Sequence, residues 1–352
     1  MVDRTARGDG PMTGAVVLGV GGSLPGRVVT NDDLATRLDT SDEWIRSRTG
    51  IGARRWVEPG TATSDLAVDA GARALRSAGV STVDAVIVAT TTPDRLCPAV
   101  APEVAARLGL VGTPAHDVAA VCTGFLYGLA NGVGLIASGA ARTVLLIAAE
   151  TFSTILDPQD RGTAVIFGDG AGAVVLGAAG PGAPGAVGPC VLGSDGIGAD
   201  LIQIPAGGSR QRSSGLAAAP GEHYFKMRGK EVFRQAVERM AEVSLDALAR
   251  AGLTVGDIDH LAPHQANMRI CAAVAHRLGV PEDRVLANLD EVGNTAAASI
   301  PVLLAQAAAD GRVKAGDQVL AVAFGGGLTW GAVTLAWPDA VASFGTFVPA
   351  GS

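Results

Sequence analysis

Two stretches of this chain are versions of each other, and that repetition limits the fold more than any compositional figure does. Phe167-Gly168-Asp169-Gly170-Ala171-Gly172-Ala173-Val174-Val175-Leu176 is matched by Phe324-Gly325-Gly326-Gly327 running on to Gly331-Ala332-Val333-Thr334-Leu335. Likewise Ala78-Gly79-Val80, followed by Asp84 and an apolar run, is matched by Ala251-Gly252-Leu253, followed by Asp257 and an apolar run. Similarity of this kind within one chain is the signature of a repeated structural unit. Cys122 lies 45 residues before Phe167, and Asn294 lies 30 before Phe324. Each is followed by a predicted helix and then a predicted strand, over 143–149 and 318–323. The pattern therefore puts Cys122 and Asn294 at equivalent helix starts. Two halves meeting face to face bring both helix N-termini to one pseudo-twofold centre. The Gly/Pro stretch 180–189 is the natural join, giving halves over 14–185 and 186–338 with tails at 1–13 and 339–352.

Within the halves, apolar runs alternate with amphipathic ones. A strand is expected over 15–20, with a glycine turn at Gly21-Gly22. Short helices are expected over 31–38 and 42–47, each opened by a capping-type residue. A longer helix over 64–78 and a buried strand over 85–90 follow. Such alternation predicts an α/β layer fold with a mostly parallel sheet. Residues 206–222, rich in Gly, Ser, Arg, Ala and Pro, read as a mobile surface loop, and 339–352 carries no usable motif.

Cys122 stands where a predicted strand over 115–120 gives way to a charge-free helix of small residues. The free N–H groups and dipole of a helix start favour the thiolate, the form that attacks carbonyl carbon. A small buried hydrophobe is the commoner fate of a free cysteine, and position alone leaves both readings open. Residues 118–141 carry no charge and are long enough to span a bilayer. They also hold Gly124, Gly128, Gly132, Gly134 and Gly139 with Thr123, Asn131 and Ser138, and the strand-then-helix reading splits them. A core helix is expected, with Gly124, Gly128 and Gly132 on one face where a neighbouring backbone comes close.

The 352 residues, 48% hydrophobic and 17% charged, describe a well-buried globular chain. A net charge of −7 without any Lys/Arg run argues against nucleic acid as the main partner. The four cysteines show neither CxxC spacing nor a disulfide framework. Residues 1–13 lack the apolar core of a signal peptide, so a reducing, cytoplasmic setting is expected, with no membrane partner.

Several familiar motifs fail on context. Gly168 to Ala173 satisfies a loose G-x-G-x-x-A pattern, but a strand follows where a helix should receive a pyrophosphate. Gly19-Val20-Gly21 has Leu24 where the third glycine belongs. Gly229-Lys230 is followed by Glu231, so it is no P-loop. His116, His223, His260, His264 and His276 show no metal-ligand spacing, and no metal is expected. His264 follows a strand and a proline at a strand's C-terminal end, where α/β folds place their chemistry, although a lone histidine there is more often structural than catalytic. Gly325-Gly326-Gly327 could be an ordinary turn or could present a backbone N–H to an oxyanion.

Taken in order, these stretches resemble β-ketoacyl-acyl-carrier-protein synthase III, a condensing-enzyme family of the thiolase-like superfamily, from about residue 15 to 337. The marks are Thr40-Ser-Asp-Glu-Trp44-Ile-Arg-Ser-Arg48-Thr-Gly-Ile, Cys122-Thr-Gly-Phe, Asp157-Pro-Gln-Asp-Arg161-Gly-Thr, Phe167-Gly-Asp-Gly-Ala-Gly-Ala, Pro263-His264-Gln-Ala-Asn267-Met-Arg269-Ile, Gly293-Asn294-Thr and Phe324-Gly-Gly-Gly-Leu-Thr-Trp-Gly. The resemblance implies a thiolase-like fold, two related α/β halves in α-β-α-β-α layers, working as a homodimer. It implies that an acyl-coenzyme A loads Cys122. Malonyl-carrier protein then loses CO2, and the enolate attacks the thioester, with His264 and Asn294 bonding the enolate oxygen. Backbone N–H groups of Cys122 and Gly326 would form the oxyanion hole. Coenzyme A recognition carries over to Thr40, Trp44, Arg48, Arg161 and Asn267, and docking of the acidic carrier protein to Arg234, Arg269 and Arg277. No permanently bound cofactor is implied; acyl-CoA and malonyl-carrier protein are substrates.

The chain departs from the pattern at Cys97, where acetyl-primed members carry a bulky aromatic before the proline. That smaller residue implies a primer pocket open to chains longer or more branched than acetyl. Initiation of fatty-acid synthesis and priming of a polyketide pathway would use the same catalytic residues. The rival readings are an acyltransferase of this fold that passes the acyl group to oxygen, nitrogen or a carrier protein without condensation, and a non-catalytic binding or scaffold protein.

Overall fold

The computed structural model describes residues 14–180 and 183–349; the N-terminal tail 1–13, positions 181–182 of the expected join and the last three residues lie outside them. Two sheets form the frame. The first runs, edge to edge, Ser343–Phe347, Gly14–Pro25, Gly170–Ala179, Thr143–Glu150, Ala85–Ala89 and Ala115–Val118. The second runs His260–Pro263, Gln318–Gly325, Thr329–Ala336 and Val191–Ser194.

Set side by side, the sheets confirm the repeat. Gly14–Pro25, Gly170–Ala179, Thr143–Glu150 and Ala85–Ala89 correspond in order to Val191–Ser194, Thr329–Ala336, Gln318–Gly325 and His260–Pro263. Where the first half has the strand Ala115–Val118, the second has only a parallel bridge between Leu261 and Val285. The sheets are mixed rather than mostly parallel. Ala85–Ala89 is parallel to both neighbours, while Gly170–Ala179 is antiparallel to both of its own. No helix crosses over between 150 and 170 beyond one short turn, and a strand that returns beside its predecessor must run antiparallel.

The layers are α-β-α-β-α, as the resemblance implies. Helices Gly124–Ala137 and Ser299–Ala309 fill the middle layer, where Leu126, Leu129, Ile300, Leu303 and Leu304 meet Ile87, Leu146 and Leu176 of one sheet and Val319, Ala321 and Val333 of the other. Helix Thr63–Ala78 covers the outer face of the first sheet. Gly229–Ala251 and Met268–Leu278 cover the outer face of the second. Each buried Leu or Ile contributes about 1.5–3 kcal/mol relative to an exposed one. The expected glycine face is present but meets side chains rather than a neighbouring backbone: a Cβ on Gly128 would sit 2.5 Å from Leu146 Cδ1, and on Gly132 2.7 Å from Leu176 Cδ1. Neither is compatible with the observed packing. Among the described residues no helix is long and apolar enough to cross a membrane.

Three local expectations need correction. Gly21-Gly22 is not a turn; the strand runs through to Pro25. A Cβ on Gly21 would lie 2.4 Å from Ala70 O and Ala74 N, so glycine serves there to let helix Thr63–Ala78 close on the strand. The segment 339–352 is not simply a tail, because Ser343–Phe347 pairs parallel with Gly21 to Pro25 and extends the first sheet. Segment 206–222 is anchored at its base by Ala206 N–H donating to Glu222 O at 3.0 Å, and it contains the short helix Ser209–Ser213. The join itself stitches the sheets, since Val187 N–H donates to Ala15 O and Ala336 N–H to Ala186 O, at 2.8 and 3.0 Å.

Candidate active site

Cys122 lies in a 3-10 turn, Val121–Thr123, that leads into helix Gly124–Ala137. Val121 has φ +47°, a left-handed conformation costing a β-branched residue about 1–3 kcal/mol. The turn is tied down: Thr123 Oγ1 donates to Ala120 O at 2.7 Å and shares a 2.7 Å hydrogen bond with Thr329 Oγ1. A second 3-10 turn, Ala296–Ala298, leads into Ser299–Ala309, and Ala296 has φ +45°. The counterpart of Cys122 is therefore Ala297. Asn294 does not occupy the equivalent helix start; it lies just before its turn, bridged to Phe167.

His264 follows strand His260–Pro263 directly and is buried. Its Nδ1 lies 2.5 Å from Ser299 Oγ. With that hydroxyl donating to Nδ1, the ring proton is assigned to Nε2, which becomes a donor. Burial pulls the imidazole down to about 3, so it is neutral. Asn294 Oδ1 accepts from Ala296 N–H at 2.8 Å, which leaves Nδ2 as its free donor group. Cys122, His264 and Asn294 line one small apolar cavity with Phe167, Phe225, Met240 and Phe324. Burial pushes the Cys122 thiol up to about 12, and the Glu150 carboxylate adds to the effect. Burial thus opposes the resting thiolate that the helix start favours.

The cavity, about 40 Å³, continues into a cleft of about 640 Å³. Met227, Val232, Ala266, Ile270 and Asn294 line both, so the cleft leads to the thiol. Trp44, Arg48 and Asn267 are on its wall. Arg161 is not, but its guanidinium lies 4.7 Å from the centre of the Trp44 ring, and that of Arg48 lies 4.9 Å away. Asn267 also has a structural task, capping helix Met268–Leu278 and donating to Arg48 O at 3.0 Å. Thr40 lies off the cleft wall, with a buried hydroxyl that has no hydrogen-bond partner. Arg234 and Arg277 are exposed, and Arg269 is exposed at the cleft. Gly325 packs on Cys122, where an added Cβ would lie 2.9 Å from Cys122 N; Gly326 lies against Val121 and Ile202.

Two family models match the chain. One describes 3-oxoacyl-[acyl-carrier-protein] synthase III over residues 116–196, the other the C-terminal region of the same enzyme over 248–337. The chain is 60% identical over 330 residues to β-ketoacyl-[acyl-carrier-protein] synthase III 3 of Streptomyces coelicolor, covering 93% of this chain and 98% of that one. The chain belongs to the β-ketoacyl-acyl-carrier-protein synthase III family. The crystal structure of a synthase III from Pseudomonas aeruginosa superposes with a TM-score of 0.87 at 49% identity, covering 93% of this chain and 99% of that one. The priming β-ketosynthase of the R1128 polyketide pathway superposes with a TM-score of 0.86 at 37% identity, over 92% and 96%.

Against the expectations drawn from this family, Cys97 is the main displacement. It is exposed, away from the cavity of its own chain, next to Leu96, which is 77% exposed. Sequence reasoning also missed cleft and site residues. Lys230 and Phe233 line the cleft, although Gly229-Lys230 drew notice only as a failed phosphate loop. Ser299 carries no local signal, because its role depends on a histidine 35 residues away. Glu150 ends an apolar strand with no exposed surface, and the only clue was a lone carboxylate in that run. Among the described residues no cluster of three or more His, Cys, Asp or Glu side chains could hold a metal.

Proposed function

We propose that this condensing acyltransferase loads an acyl group from acyl-CoA onto Cys122 and condenses it with malonyl-carrier protein, giving 3-ketoacyl-carrier protein. The observation that carries the reading is the continuous path from an open cleft to a buried thiol faced by His264 and Asn294. In the first step Cys122 Sγ attacks the thioester carbon and coenzyme A leaves as the thiol. For this step the Ser299 hydroxyl accepts from Nδ1–H, so His264 Nε2 is free to take the thiol proton and pass it to the departing coenzyme A sulfur. Backbone N–H groups of Cys122 and Gly326 would hold the oxyanion. In the second step malonyl-carrier protein loses CO2, and the enolate oxygen takes hydrogen bonds from His264 Nε2 and Asn294 Nδ2. The enolate carbon attacks the Cys122 thioester and the thiolate departs. Donors aimed at developing charge in a dry cavity are each worth about 2.7–4 kcal/mol.

The rest of the assignment follows the cleft. The adenine of coenzyme A would enter between Trp44 and Arg161, with Arg48 and Asn267 beside it and Thr40 behind, and no permanently bound cofactor is required. Arg234, Arg269 and Arg277 form the basic face for an acidic carrier protein. A primer role for Cys97 requires a second copy. The loop bearing it is fixed beside the edge strand Ala115–Val118, because Asp117 accepts from Val100 and Ala101 N–H at 2.8 Å each. A homodimer joined along that edge would carry Cys97 to the partner's primer pocket. The free thiols suit a cytoplasmic enzyme of fatty-acid initiation or polyketide priming.

The test follows acyl adducts on Cys122 by mass spectrometry and CO2 release from malonyl-carrier protein, across a panel of acyl-CoA primers. Both should occur, with primers longer or more branched than acetyl accepted. Normal acylation without CO2 release from any malonyl thioester would leave a simple acyl transfer to oxygen, nitrogen or a carrier protein.

A further inference from the structure

Arg54, in strand Ala53–Trp56, has no exposed surface, and neither chemical step employs it. Its guanidinium donates to acceptors on three separate segments. Nη1 reaches Val29 O at 3.1 Å, and Nη2 reaches Asn31 Oδ1 at 2.8 Å and Val165 O at 2.7 Å. Asn31 is turned to receive it, because its own Nδ2 donates to Asp42 Oδ1 and to Ile51 O at 2.8 Å each. Burial pulls the guanidinium down to about 10, so it stays charged at neutral pH.

The segment that Arg54 holds is the one that holds Asn294. Asn294 N–H donates to Ile166 O and Gly168 N–H donates to Asn294 O, at 2.9 Å each. Trp56, from the same strand as Arg54, donates from Nε1 to Phe167 O at 3.0 Å. The stem of Arg54 meets the same place from behind. A Cβ on Gly293 would lie 2.8 Å from Arg54 Cβ, and one on Gly168 would lie 3.4 Å from it. Asn294 thus has its N–H and C=O fixed by this segment and its Oδ1 taken by Ala296 N–H. These three bonds set the direction of Nδ2.

We infer that Arg54 is a positioning residue for condensation: its guanidinium fixes Val165 O, and with it the segment 165–168 against which Asn294 is registered. A charge buried among neutral acceptors, with its Nε–H unpaired, is a costly way to stabilise a fold. The planar fork, however, serves acceptors on three segments at once, which a shorter or neutral side chain does not. Loading does not call on it. The turn bearing Cys122 is tied to Ala120 and Thr329 by bonds in which Arg54 has no part. A defect at Arg54 therefore falls on the second step.

The inference rests on the condensing reading, and the experiment separates the two. Arg54→Met and Arg54→Lys, in the full chain, are compared with wild type in acyl loading, CO2 release from malonyl-carrier protein and backbone hydrogen exchange read by mass spectrometry. Arg54→Met fills the space without a donor. It should load within about threefold of wild type and lose about tenfold to a hundredfold of CO2 release, the range expected of a small misplacement at a reacting centre. Exchange should quicken in peptides over 165–169 and 290–296, which hold the N–H groups of Gly168 and Asn294, while helix Gly124–Ala137 stays as protected as in wild type. Arg54→Lys keeps the charge on a stem too short to reach Val165 O. It should show the same split, and it carries the test if Arg54→Met does not fold. Wild-type CO2 release and wild-type exchange in either variant would overturn the proposal. So would equal losses of loading and CO2 release with exchange quickened along the whole chain, or failure of both variants to fold, the marks of a merely structural residue. Exchange needs no substrate, so it reports on Arg54 even if wild type releases no CO2 and the condensing reading fails.

Discussion

The turns Val121–Thr123 and Ala296–Ala298 have the same backbone, the same left-handed first residue and the same helix to follow, yet one carries a thiol and the other an alanine. Each is covered by the other half. Phe324-Gly325 of the second half closes over Cys122, while Phe167-Gly168 of the first half pairs with Asn294, Gly168 N–H donating to its carbonyl at 2.9 Å. This exchange explains why the Phe-Gly stretch is the part of the repeat that stayed recognisable: it must fit closely against a turn in the opposite half. In the proposed reaction, function comes from breaking the symmetry. The first turn opens onto the cavity through Cys122. The second is sealed, with Ala297 1% exposed, and contributes through its flanks, Asn294 and Ser299.

The strongest way to break this comparison is to move the thiol. Cys122→Ala should abolish the adduct formed with acyl-CoA, and Cys122→Ala combined with Ala297→Cys should not restore it. Intact-protein mass spectrometry reads both. A thiol at 297 would be shut away from the cleft, and the Ala297 Cβ would already lie within 3.1 Å of a Cβ at Gly124. Stoichiometric acylation of the double variant would mean that the halves are interchangeable and that the asymmetry is not functional.

Next in size is the split between the steps. Asn294→Ala should lower CO2 release by about 10²–10³-fold, the usual effect of removing one such donor, while Cys122 still loads within a few-fold. His264→Ala should lose as much CO2 release and part of the loading, because the ring also faces the thiol. Single-turnover loading and CO2 release, measured on the same protein, check the split. Only interactions made in a given transition state speed that step, so equal losses in both would contradict the separate roles.

The duplicated halves were legible in the sequence because they rest on local chemistry, apolar runs and glycines at close approach, whereas the layer order and the grouping of Cys122, His264 and Asn294 came from the resemblance to a condensing-enzyme family. What was not legible depends on partners distant in the chain. Ser299 matters through His264, and Ser343–Phe347 through the strand Gly14–Pro25, more than 300 residues earlier. The opposing pull on the thiol was hidden for a related reason. Burial is a property of the assembled cavity, and it works against the dipole that sequence position did reveal. The match of Cys122 to Asn294 was one turn out, because spacing counts residues while the left-handed positions mark the true equivalence.

A smaller effect concerns the pH dependence of stability. His264 is held neutral, its folded value lowered from 6.5 to about 3 by burial. The unfolded chain therefore binds more protons than the folded one below pH 6.5, and this residue removes stability as pH falls from there toward 3. Glu150, raised to about 7, works in the opposite sense and removes stability as pH rises from 4.5 to 7. Thermal midpoints between pH 4 and 8 should thus fall less steeply on acidification in His264→Gln than in wild type. In Glu150→Gln the wild-type loss between pH 6 and 7 should disappear, while buried Asp169, raised to about 6, keeps its own loss below that. An unchanged profile in His264→Gln would show that the ring is not buried neutral.

The smallest expected effect sharpens the comparison most, because it touches only the backbone the two turns share. At Ala296 a glycine relieves a left-handed conformation costing about 1–2 kcal/mol, while the freer unfolded chain takes back about 0.5–1. Ala296→Gly should therefore shift stability by about 1 kcal/mol or less and leave acyl loading unchanged. Val121→Gly relieves the same conformation, but it also removes a side chain on which the Gly326 turn rests, a Cβ at Gly326 lying 3.1 Å from Val121 Cγ2. Loading should then slow even if stability is kept, since the backbone N–H groups of Cys122 and Gly326 lose their fixed spacing. Denaturant unfolding and loading rates, taken together, give the answer. Equal behaviour of the two glycine variants would mean that strain, and not the side chain above it, sets the nucleophile's turn apart.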